Sequence, residues 1–511
     1  MTAIEEALLR GEVDVAVHSA KDVPTDEDPR LTIAAFLSRE SARDVLVVRE
    51  GQPPPRHLDD LPRGVRVGTD SPRRTAFLRA ARPDLVFHPL HGNVDTRLRR
   101  LDAGDTDVLV LAEAGLRRLG REDRVALRLD PLDVPPAPGQ GALAVQVRAD
   151  EPRLRRVIGD LDHSDTRRAV VAERALLAAT AGGCRSPVGA LGRVEHECLD
   201  LLGGYARLDG SIRVIAQRRA ASPGEDSVVV RALLDDIAGQ SAAAALQSAA
   251  LRVIVTRPEH QAASLILALV DRGLAPHAVP SIAIEAVDGD RLASVILRLP
   301  EFDWVAVTSV NAADALRDAA RLAGVDLAAN ARRPRWAAVG VGTKRALTDG
   351  GVEVDFQPAQ ARSAALADEL PIEPGERVLL PRSDIADPSL VDRLAARGAV
   401  VEVIVTYRTL EAPVTSVALL ESALADGAAG VILTSGSSAR GLVTLATTIG
   451  ASGRVLDLPA ICIGTETGRV ARDLGYRSVV ESAGQRPGAM ADVAAEILGS
   501  GTSRADVASW G

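Results

Sequence analysis

Short apolar runs alternate with polar segments of the kind that open helices through the first part of the chain. Residues 13–19 alternate apolar and polar side chains as a half-buried strand does, and residues 65–69, 107–112 and 143–148 form three further strand-like runs. From about His163 the pattern changes to a long helix, a Gly-Gly-Cys turn and strands of the antiparallel type. The order of these elements predicts an α/β region followed by a small, separate α+β domain.

The second part of the chain contains an internal repeat. Three segments recur after an offset of about 125 residues: those around Val253, Val305 and Ala338 match those around Val378, Val431 and Cys462. Each copy has the order strand, small or polar loop, helix, so a doubly wound α/β domain is predicted twice. In such sheets ligands bind beyond the carboxyl ends of the strands, where the Thr-, Ser- and Gly-rich loops of both copies fall.

Two segments have the composition of a boundary. Residues 239–250 are rich in Ala, Ser and Gln and can be read either as a short helical linker or as the end of a helix. We place the division between the two halves near residue 250. Residues 499–511 are mostly Gly, Ser, Thr and Ala, which predicts a disordered tail.

Composition narrows the classes of function. The formal net charge is −9 and no basic run is interleaved with aromatic residues, which argues against nucleic acid as the main partner. No apolar run approaches the roughly 18 residues of a membrane-spanning helix, and the first residues lack a signal-peptide pattern. The three cysteines are too few and too scattered for a disulfide framework or a zinc site. We therefore expect a cytoplasmic protein with no bound metal and no membrane partner.

The segment HSAKDVP, residues 18–24, follows the first predicted strand and crowds polar side chains together. One reading is a solvated loop that Pro24 terminates. The other is that Asp22 lies at the mouth of a cleft, where a single carboxylate would stabilise a cation forming in the substrate.

Arginines gather where helices are predicted to begin. The motif GTDSPRR places Arg73 and Arg74 at a helix start, GNVDTRL repeats the arrangement with Arg97, and GLRRLG adds Arg118. Free backbone N–H groups, the helix dipole and the guanidinium groups all favour an anion at such positions. One such start can be a surface solubility feature. Several together, without a glycine- and lysine-bearing phosphate loop, favour a ligand with several carboxylates over a nucleotide.

Cys184 lies in the motif GGCRSP after a predicted helix. A lone cysteine can be an inert packing residue. The two glycines before it, however, leave room for a bulky group, and a thiolate is a good nucleophile for covalent attachment. Cys198 and Cys462 lie in apolar stretches, and we read both as core residues.

Six motifs stand in order over residues 1–235, namely HSAKDVP, GTDSPRR, GNVDTRL, AGLRRLG, PGQGA and GGCRSPVG. Their order and spacing resemble porphobilinogen deaminase, also called hydroxymethylbilane synthase. The resemblance implies that Cys184 carries a thioether-linked dipyrromethane cofactor made from two porphobilinogens. It implies that Asp22 is the main catalytic group, which stabilises the azafulvene-type cation as ammonia leaves. It also implies a set of residues that bind acetate and propionate groups: Lys21, Arg73 and Arg74 at the cofactor, and Ser71, Arg97 and Arg118 at the substrate.

The sequence departs from that family in two respects. Members of the family begin earlier, with a strand, an Arg- and Ser-bearing loop and a mobile loop, whereas Met1 here falls within the helix that follows them. We expect a start site assigned too late or a truncated gene, and the deaminase activity of the chain as given is open. The family has arginine where this chain has His91, so one carboxylate contact is in question.

Residues 251–498 resemble uroporphyrinogen-III synthase through the motifs VTRP, TSVNA, VGVGTKRAL, VTYRTLEAP, LTSGS and IGTETGR. The resemblance implies a cofactor-free closure of hydroxymethylbilane with inversion of the last ring and loss of water. It makes Tyr407 the candidate for assisting departure of the hydroxyl, although Tyr407 can also be an ordinary interdomain tyrosine. It implies a set of hydroxyl residues that bind propionates and acetates, namely Ser309, Thr434, Ser437 and Thr467.

The two resemblances imply a fold class and a set of domains. The fold class is α/β, with periplasmic-binding-protein-like lobes and a small α+β domain, followed by two doubly wound α/β lobes of a synthase. The expected bounds are 1–46 with 136–160 for deaminase domain 1, 47–135 for domain 2, 161–238 for domain 3, 239–250 for a linker, 251–285 with 413–498 for synthase lobe 1, 286–412 for lobe 2 and 499–511 for the tail.

Three hypotheses about function remain at this point. The first is a bifunctional enzyme, expected to be a monomer, which acts on porphobilinogen and then on hydroxymethylbilane. The second is a synthase that carries an inactive deaminase remnant, which His91 and the absent upstream segment favour. The third is a non-catalytic protein that binds an anionic small molecule. The presence of Cys184, Asp22 and the arginines favours the first.

Overall fold

The computed structural model of this protein describes residues 3–25, 28–180, 187–287, 289–327, 334–386 and 388–505. Within these residues the chain is a mixed α/β protein with five β-sheets. It divides into two compact units: the first comprises Met1–Val279, Val417–Ala439 and Ala446–Gly511, and the second comprises Pro280–Ser416 and Arg440–Leu445.

The first half forms, in chain order, α1 (Ala3–Leu9), β1 (Ala16–Ser19), β2 (Leu31–Phe36), β3 (Asp44–Val48), β4 (Arg66–Gly68), α2 (Pro72–Ala81), β5 (Val86–His88), α3 (Val94–Asp102), β6 (Val108–Ala112), α4 (Glu113–Arg118), β7 (Leu127–Arg128), β8 (Leu143–Arg148), α5 (Pro152–Gly159), α6 (Ser164–Ala179), β9 (Val188–Glu195), β10 (Cys198–Ala206), β11 (Arg213–Ala220) and α7 (Asp226–Leu246).

The second half forms β12 (Arg252–Val255), α8 (Glu259–Asp271), β13 (Ala275–Ala278), β14 (Ile282–Ala286), α9 (Gly289–Leu297), β15 (Trp304–Val307), α10 (Val310–Ala323), β16 (Arg335–Ala338), α11 (Val341–Asp349), α12 (Ser363–Glu369), β17 (Arg377–Ser383), α13 (Ser389–Ala396), β18 (Val400–Glu411), α14 (Val417–Ala425), β19 (Gly430–Leu433), α15 (Gly436–Thr448), α16 (Ser452–Leu456), β20 (Ala460–Cys462), α17 (Thr465–Asp473), β21 (Val479–Glu481) and α18 (Pro487–Ala505).

The chain begins one sheet, builds a second sheet, and then returns to complete the first. Strands β1, β8 and β2 form an antiparallel sheet in that order. Between β2 and β8 the chain builds a five-stranded sheet with the order β5-β4-β6-β3-β7. The buried, Val- and Leu-rich β3 and β6 lie inside that sheet, as their apolar runs predict. The predicted strand at 143–148 matches β8, whereas the one at 13–19 forms a strand only from Ala16 onwards.

Strands β9, β10 and β11 form an antiparallel meander that packs against α6 and α7. This is the small α+β domain predicted from the change of pattern after His163. Helix α7 continues through residues 239–246, so that part of the Ala-rich stretch is the end of a helix, because alanine is the best helix former and nothing there interrupts the backbone. Ile237 and Ala245 of α7 share one hydrophobic core with Leu265 and Leu269 of α8.

Each copy of the internal repeat contributes to both remaining sheets. The first unit holds an all-parallel sheet with the order β13-β12-β19-β20-β21, and the second unit holds a sheet with the order β14-β18-β17-β15-β16. Matching segments of the repeat occupy matching places, since β12, β19 and β20 correspond to β17, β15 and β16. Strand β12 pairs on one side with β13, which follows it in the first copy of the repeat. On its other side it pairs with β19, which belongs to the second copy.

Helix α18 extends through Ala505, whereas the composition predicted a disordered tail from residue 499. No proline follows Leu498, so the backbone has no covalent reason to leave the helix at Gly499. Residues 506–511 lie outside the described residues.

Candidate functional site

The Lys21–Asp22 segment forms a tight turn directly after β1. A short 3-10 turn spans Ala20–Asp22, in which Asp22 is exposed and the Lys21 ammonium donates a hydrogen bond to Gln140 Oε1 at 3.4 Å. Gly139 approaches this turn closely: its φ is +78°, and a Cβ there would lie 3.0 Å from the Lys21 backbone nitrogen. The PGQGA motif thus serves to press Gln140 against Lys21 and leaves Asp22 facing solvent.

Lys21 is a cation in a positively charged surrounding. Burial lowers the pKa of Lys21 to about 8, and the charges of Arg74 and Arg73 act in the same direction, while Asp22 and Asp44 oppose them. A carboxylate brought to Lys21 would stabilise the ammonium form. The turn is therefore suited to an acid-bearing ligand.

Arg73 and Arg74 lie in the first turn of α2 and share one buried carboxylate. Arg74 Nη2 and Nε donate to Asp44 Oδ1 at 2.7 and 3.1 Å, and Arg73 Nη1 is 2.8 Å from Asp44 Oδ2. Ser71 caps the helix by accepting a hydrogen bond from the Arg74 amide at 3.4 Å. Burial alone would raise the pKa of Asp44, but the two guanidinium groups hold it well below its ordinary value.

Both arginines are also bonded to main-chain oxygens. Arg73 Nη1 donates to the Pro135 carbonyl at 2.5 Å, and Arg74 Nη1 donates to the Val110 carbonyl at 2.9 Å. Their side chains are only 5% and 7% exposed. The structure thus buries these two predicted cofactor-binding residues behind Ser71. There they would attract an anionic ligand by their positive charge more than by direct hydrogen bonds.

Arg97 presents a different picture. It lies in the first turns of α3, whose start Asn93 caps, and its Nη2 is 3.6 Å from Asp70 Oδ2. Among the described residues its Nε is buried without a hydrogen-bond partner, and so is Asp70 Oδ1. Burial lowers the pKa of Arg97. The negative charge of Asp70 opposes this shift, and the positive charge of Arg74 adds to it. The unpartnered atoms offer one donor and one acceptor at the strand end.

His91, the residue that departs from the family pattern, is exposed and lies beside the same carboxylate. Its Nδ1 is 3.1 Å from Asp70 Oδ2. Asp70 thus faces both His91 and Arg97. Arg118, also predicted to bind substrate, is exposed at the end of α4 and donates to the Gly141 carbonyl at 2.7 Å, so it joins the PGQGA turn. Cys184 lies outside the described residues, between α6 and β9.

Three residues that the sequence interpretation did not single out connect these groups. Gln140 is fully buried and donates to Asp44 Oδ1 at 2.9 Å, in addition to accepting from Lys21. Arg39 Nε donates to the Gln140 carbonyl at 2.9 Å and forms a two-point ion pair with Glu173, at 2.5 and 3.1 Å. A buried polar chain therefore runs from Glu173 to Asp44.

Glu173 lies on α6, the helix that precedes the Cys184 segment. Its carboxylate is fully buried and also accepts hydrogen bonds from the amides of Gly139, at 2.6 Å, and Gly192, at 2.7 Å. The only feature of the sequence that could have indicated this role is the position of Glu173 beside the apolar residues of α6. A buried carboxylate in that position requires partners.

In the second unit, Tyr407 and Ser309 lie together. Tyr407, on β18, donates its hydroxyl to Ser309 Oγ at 3.1 Å. Ser309 follows β15 and caps α10, since its Oγ accepts from the Ala312 amide at 3.1 Å. The structure thus brings together two of the residues predicted for the synthase chemistry.

The other predicted hydroxyl residues lie at the carboxyl ends of β19 and β20 in the first unit. Thr434 directly follows β19, and Ser437 lies in the first turn of α15. Thr467 is buried in the first turn of α17, which follows β20. Since β19 and β20 are parallel neighbours, these residues share one edge of the sheet.

Two absences within the described residues bear on the class of site. No group of three or more His, Cys, Asp or Glu side chains in this part of the chain could hold a metal ion. Within the same described residues, no helix is both long enough and apolar enough to cross a bilayer.

Comparison with known proteins covers both halves of the chain. The family model described as "Porphobilinogen deaminase, dipyromethane cofactor binding domain" matches residues 1–156, and "Porphobilinogen deaminase, C-terminal domain" matches residues 167–233. The model described as "Uroporphyrinogen-III synthase HemD" matches residues 263–492.

Two curated relatives agree with the deaminase matches. The porphobilinogen deaminase of Mycobacterium marinum is 52% identical over 220 residues, which are 41% of this chain and 68% of that protein. The deaminase of Mycobacterium avium is 49% identical over 233 residues, 44% of this chain and 72% of that protein. A solved uroporphyrinogen III synthase from Thermus thermophilus is 23% identical, covers 49% of this chain and 100% of its own, and has a TM-score of 0.39.

The first half thus matches both deaminase models and covers more than two thirds of a curated deaminase at high identity, and the second half matches the synthase model. The dipyrromethane cofactor belongs with the first of these matches. The chain belongs to the porphobilinogen deaminase family and continues into a uroporphyrinogen-III synthase domain, which makes it a bifunctional enzyme of tetrapyrrole biosynthesis.

Proposed function

We propose that the chain condenses four porphobilinogen molecules, with loss of one ammonia from each, and adds one water to release hydroxymethylbilane. It then closes that product to uroporphyrinogen III with inversion of the last ring and loss of water. The observation that carries the deaminase part is a group of cations: Arg73 and Arg74 lie near Lys21, as does the exposed Asp22, and Arg97 lies near Arg74. Substrate and products are pyrroles fringed with carboxylates, which such a group of cations would attract.

The residues described fit a dipyrromethane group. Its acetate and propionate side chains need cationic donors, and the Lys21 ammonium supplies one. Arg97, proposed to bind substrate, offers an Nε that is buried without a hydrogen-bond partner among the described residues. Arg73 and Arg74 add positive charge from behind Ser71. When bound through the proposed Cys184 thioether, the group supplies the free pyrrole position at which the chain grows.

Asp22 is proposed as the group that stabilises the reacting substrate. Loss of ammonia from porphobilinogen leaves a positive charge shared with the pyrrole nitrogen, and a carboxylate at hydrogen-bond distance would lower the energy of that cation. Asp22 is free for this role because its side chain is exposed, while the adjacent Lys21 turns inward to Gln140. The cations around it would meanwhile hold the carboxylates of the pyrroles.

In the synthase, Tyr407 is proposed to assist departure of the terminal hydroxyl. Its O–H points at Ser309 Oγ and would be offered to a substrate hydroxyl brought to the same place. Ser309 would then be free to bind substrate itself. Thr434, Ser437 and Thr467 are proposed to bind propionates and acetates at the end of β19 and β20.

Two experiments test the proposal. In the first, the chain is incubated with porphobilinogen and its intact mass is measured, and we expect the mass of two condensed porphobilinogen units, lost in Cys184→Ser. An unchanged mass in both proteins would remove the deaminase assignment. In the second, fresh hydroxymethylbilane is supplied and the isomers are separated. We expect the type III isomer, whereas type I alone, the product of spontaneous closure, would remove the synthase assignment.

The deaminase match over 1–156 and 167–233 supports this reading over a synthase with an inactive remnant and over a non-catalytic binding protein. Asp22→Asn separates the first hypothesis from the other two: a bifunctional enzyme should lose hydroxymethylbilane formation and keep the synthase reaction. A remnant or a binding protein would form none of the linear product in either form.

Three finer statements complete the proposal. The first two deaminase domains are proposed to resemble periplasmic binding proteins, which the excursion from β2 into the β3 sheet and the return through β8 supports. A cytoplasmic location is proposed because the attachment cysteine must be a free thiol, which a reducing compartment maintains. The chain is proposed to be a monomer, and light scattering should then give a mass near 53.5 kDa.

A further inference from the structure

Arg257 lies at the carboxyl end of a central strand in the parallel sheet of the first unit. Strand β12 ends at Val255 and α8 begins at Glu259, so Arg257 is in the short connection between them. The preceding Thr256 is buried and donates to the Ile432 carbonyl of β19 at 2.7 Å, which fixes this connection to the neighbouring strand. Ligands of parallel α/β sheets bind at this edge.

The neighbouring strands place known candidates on the same edge. Strand β12 is the parallel neighbour of β19, and β19 is the parallel neighbour of β20. Arg257 therefore follows the same sheet edge as Thr434 after β19 and Thr467 after β20. This row has hydroxyl groups at two strand ends and a guanidinium at the third.

The guanidinium of Arg257 is partly buried, and among the residues that the structure describes it has no hydrogen-bond acceptor and no carboxylate within ion-pair distance. Burial lowers the pKa of Arg257, and no neighbouring charge acts on it. Removing a cation from water without a counter-ion costs free energy that the fold recovers only when an anion arrives.

The internal repeat provides a comparison within the chain. Arg382, at the end of β17, is the counterpart of Arg257 after an offset of 125 residues. Its Nη2 donates to the Ala386 carbonyl, so the chain satisfies that guanidinium internally. Arg73 and Arg74 are likewise satisfied by Asp44. Arg257 occupies the same kind of strand end and has no such acceptor.

We propose that Arg257 is a substrate-binding residue of the synthase and receives a side-chain carboxylate of hydroxymethylbilane; the proposal rests on the synthase function proposed above. A guanidinium binds a carboxylate through two parallel hydrogen bonds, which fixes the orientation of the acetate or propionate as well as its position. The adjacent strand ends would bind further carboxylates of the same substrate through hydroxyl groups.

The test compares three variants of the whole chain supplied with fresh hydroxymethylbilane. In Arg257→Gln we expect KM for formation of the type III isomer to rise about 10- to 100-fold, the effect of losing a charged hydrogen-bond pair, with a smaller change in kcat. Arg257→Lys keeps the charge without the two-point geometry and should fall between wild type and Arg257→Gln. Arg477→Gln is the matched control, because Arg477 is 78% exposed and lies before β21, at the opposite edge of the sheet. It should leave KM unchanged.

Thermal unfolding separates binding from packing. Arg257→Gln removes a partly buried cation that has no counter-ion among the described residues, so its Tm should equal or exceed that of the wild type. A lower Tm together with an unchanged KM would overturn the proposal and assign Arg257 to packing. An unchanged KM at unchanged Tm would overturn it as well, while leaving the synthase function intact. If the wild type itself forms only the type I isomer, it is the proposed function that fails.

Discussion

The hydroxyl of Tyr407 donates a hydrogen bond to Oγ of Ser309 at 3.1 Å and joins the strand β18 to the first turn of α10. Ser309 is already the acceptor for the Ala312 amide, so its oxygen is held in place by the helix start. The tyrosine proton is therefore directed at one point at the carboxyl end of β15.

Tyr407→Phe should reduce the rate of type III isomer formation about 100-fold or more, the range expected when a proton donor is lost. Isomer analysis after supply of fresh hydroxymethylbilane measures this directly. Tyr476→Phe is the control, since the hydroxyl of Tyr476 is buried and has no partner among the described residues. It should keep full activity and a Tm that is equal or slightly higher. Equal activity of both variants would exclude Tyr407 from the reaction.

Asp44→Asn should be among the most destabilising single substitutions in the deaminase half. It leaves Arg73 and Arg74 buried without their shared carboxylate, and breaking a buried pair in this way costs about 3–5 kcal/mol. Urea unfolding of the whole chain measures it. Asp28→Asn is the control, because the carboxylate of Asp28 pairs with the exposed Arg30. Equal midpoints for the two variants would contradict the role given to Asp44.

The same carboxylate predicts a dependence of stability on pH. Because the folded pKa of Asp44 lies below its ordinary value, its stabilisation is complete above the unfolded pKa of about 4 and is lost as pH falls through the folded pKa. Unfolding midpoints measured from pH 6 down to pH 2 should therefore fall more steeply in the wild type than in Asp44→Asn.

Glu173→Gln tests the buried polar chain that runs from Glu173 to Asp44. The substituted amide can accept at one atom only, so it leaves Arg39 without its two-point partner and sets an N–H group against the amide of Gly139 or Gly192. A loss of about 3 kcal/mol or more in unfolding free energy is expected. Glu195→Gln, an exposed residue of β9, is the control and should change it by less than about 0.5 kcal/mol.

Lys21 predicts the pH profile of the deaminase reaction. Its pKa of about 8 in the folded chain lies below the ordinary value of 10.5, so the ammonium that would bind a carboxylate is present below pH 8 and is lost as pH rises above it. The value of kcat/KM for porphobilinogen should therefore decline above about pH 8, since that quantity reports groups of the free enzyme. In Lys21→Arg the decline should disappear, because arginine stays charged. A decline that persists in Lys21→Arg would assign it to another group.

The lowered pKa of Lys21 also predicts a change in stability with pH. Stability should rise over the pH range in which activity falls. Between about pH 8 and 10.5 the unfolded chain holds a proton on Lys21 that the folded chain has released, so stability should rise across this window. Differential unfolding of wild type and Lys21→Met at pH 7.5 and pH 9.5 would measure it.

Sequence patterns could predict many strand ends and helix starts of this protein, because its motifs lie where a strand ends and a helix begins. Ser71, Asn93, Ser309 and Ser435 all cap helices in the structure, as expected of hydroxyl and amide side chains between a strand and a helix. Those positions could be found from local pattern alone.

The buried partners could not be found in this way. Asp44 meets Arg74 across 30 residues, and Glu173 meets Arg39 across 134 residues, and no local period carries information about such pairs. For the same reason the sequence suggested free arginines at α2, whereas Arg73 and Arg74 are bonded to Asp44 and to main-chain oxygens. Arg257 was overlooked because its distinguishing property is the lack of a partner, which only the fold reveals.

The pairing of β12 with β19 has a consequence for synthesis of the chain on the ribosome. Strand β12 is synthesised long before its partner strand, Gly430–Leu433. While the second unit is translated, β12 and α8 therefore lack part of the structure that they pack against. A product that terminates within this interval would present an open strand edge and the uncovered apolar side of α8, a combination that invites aggregation. Nonsense or frameshift lesions in this interval should therefore yield insoluble protein, even though every residue of the deaminase half is present.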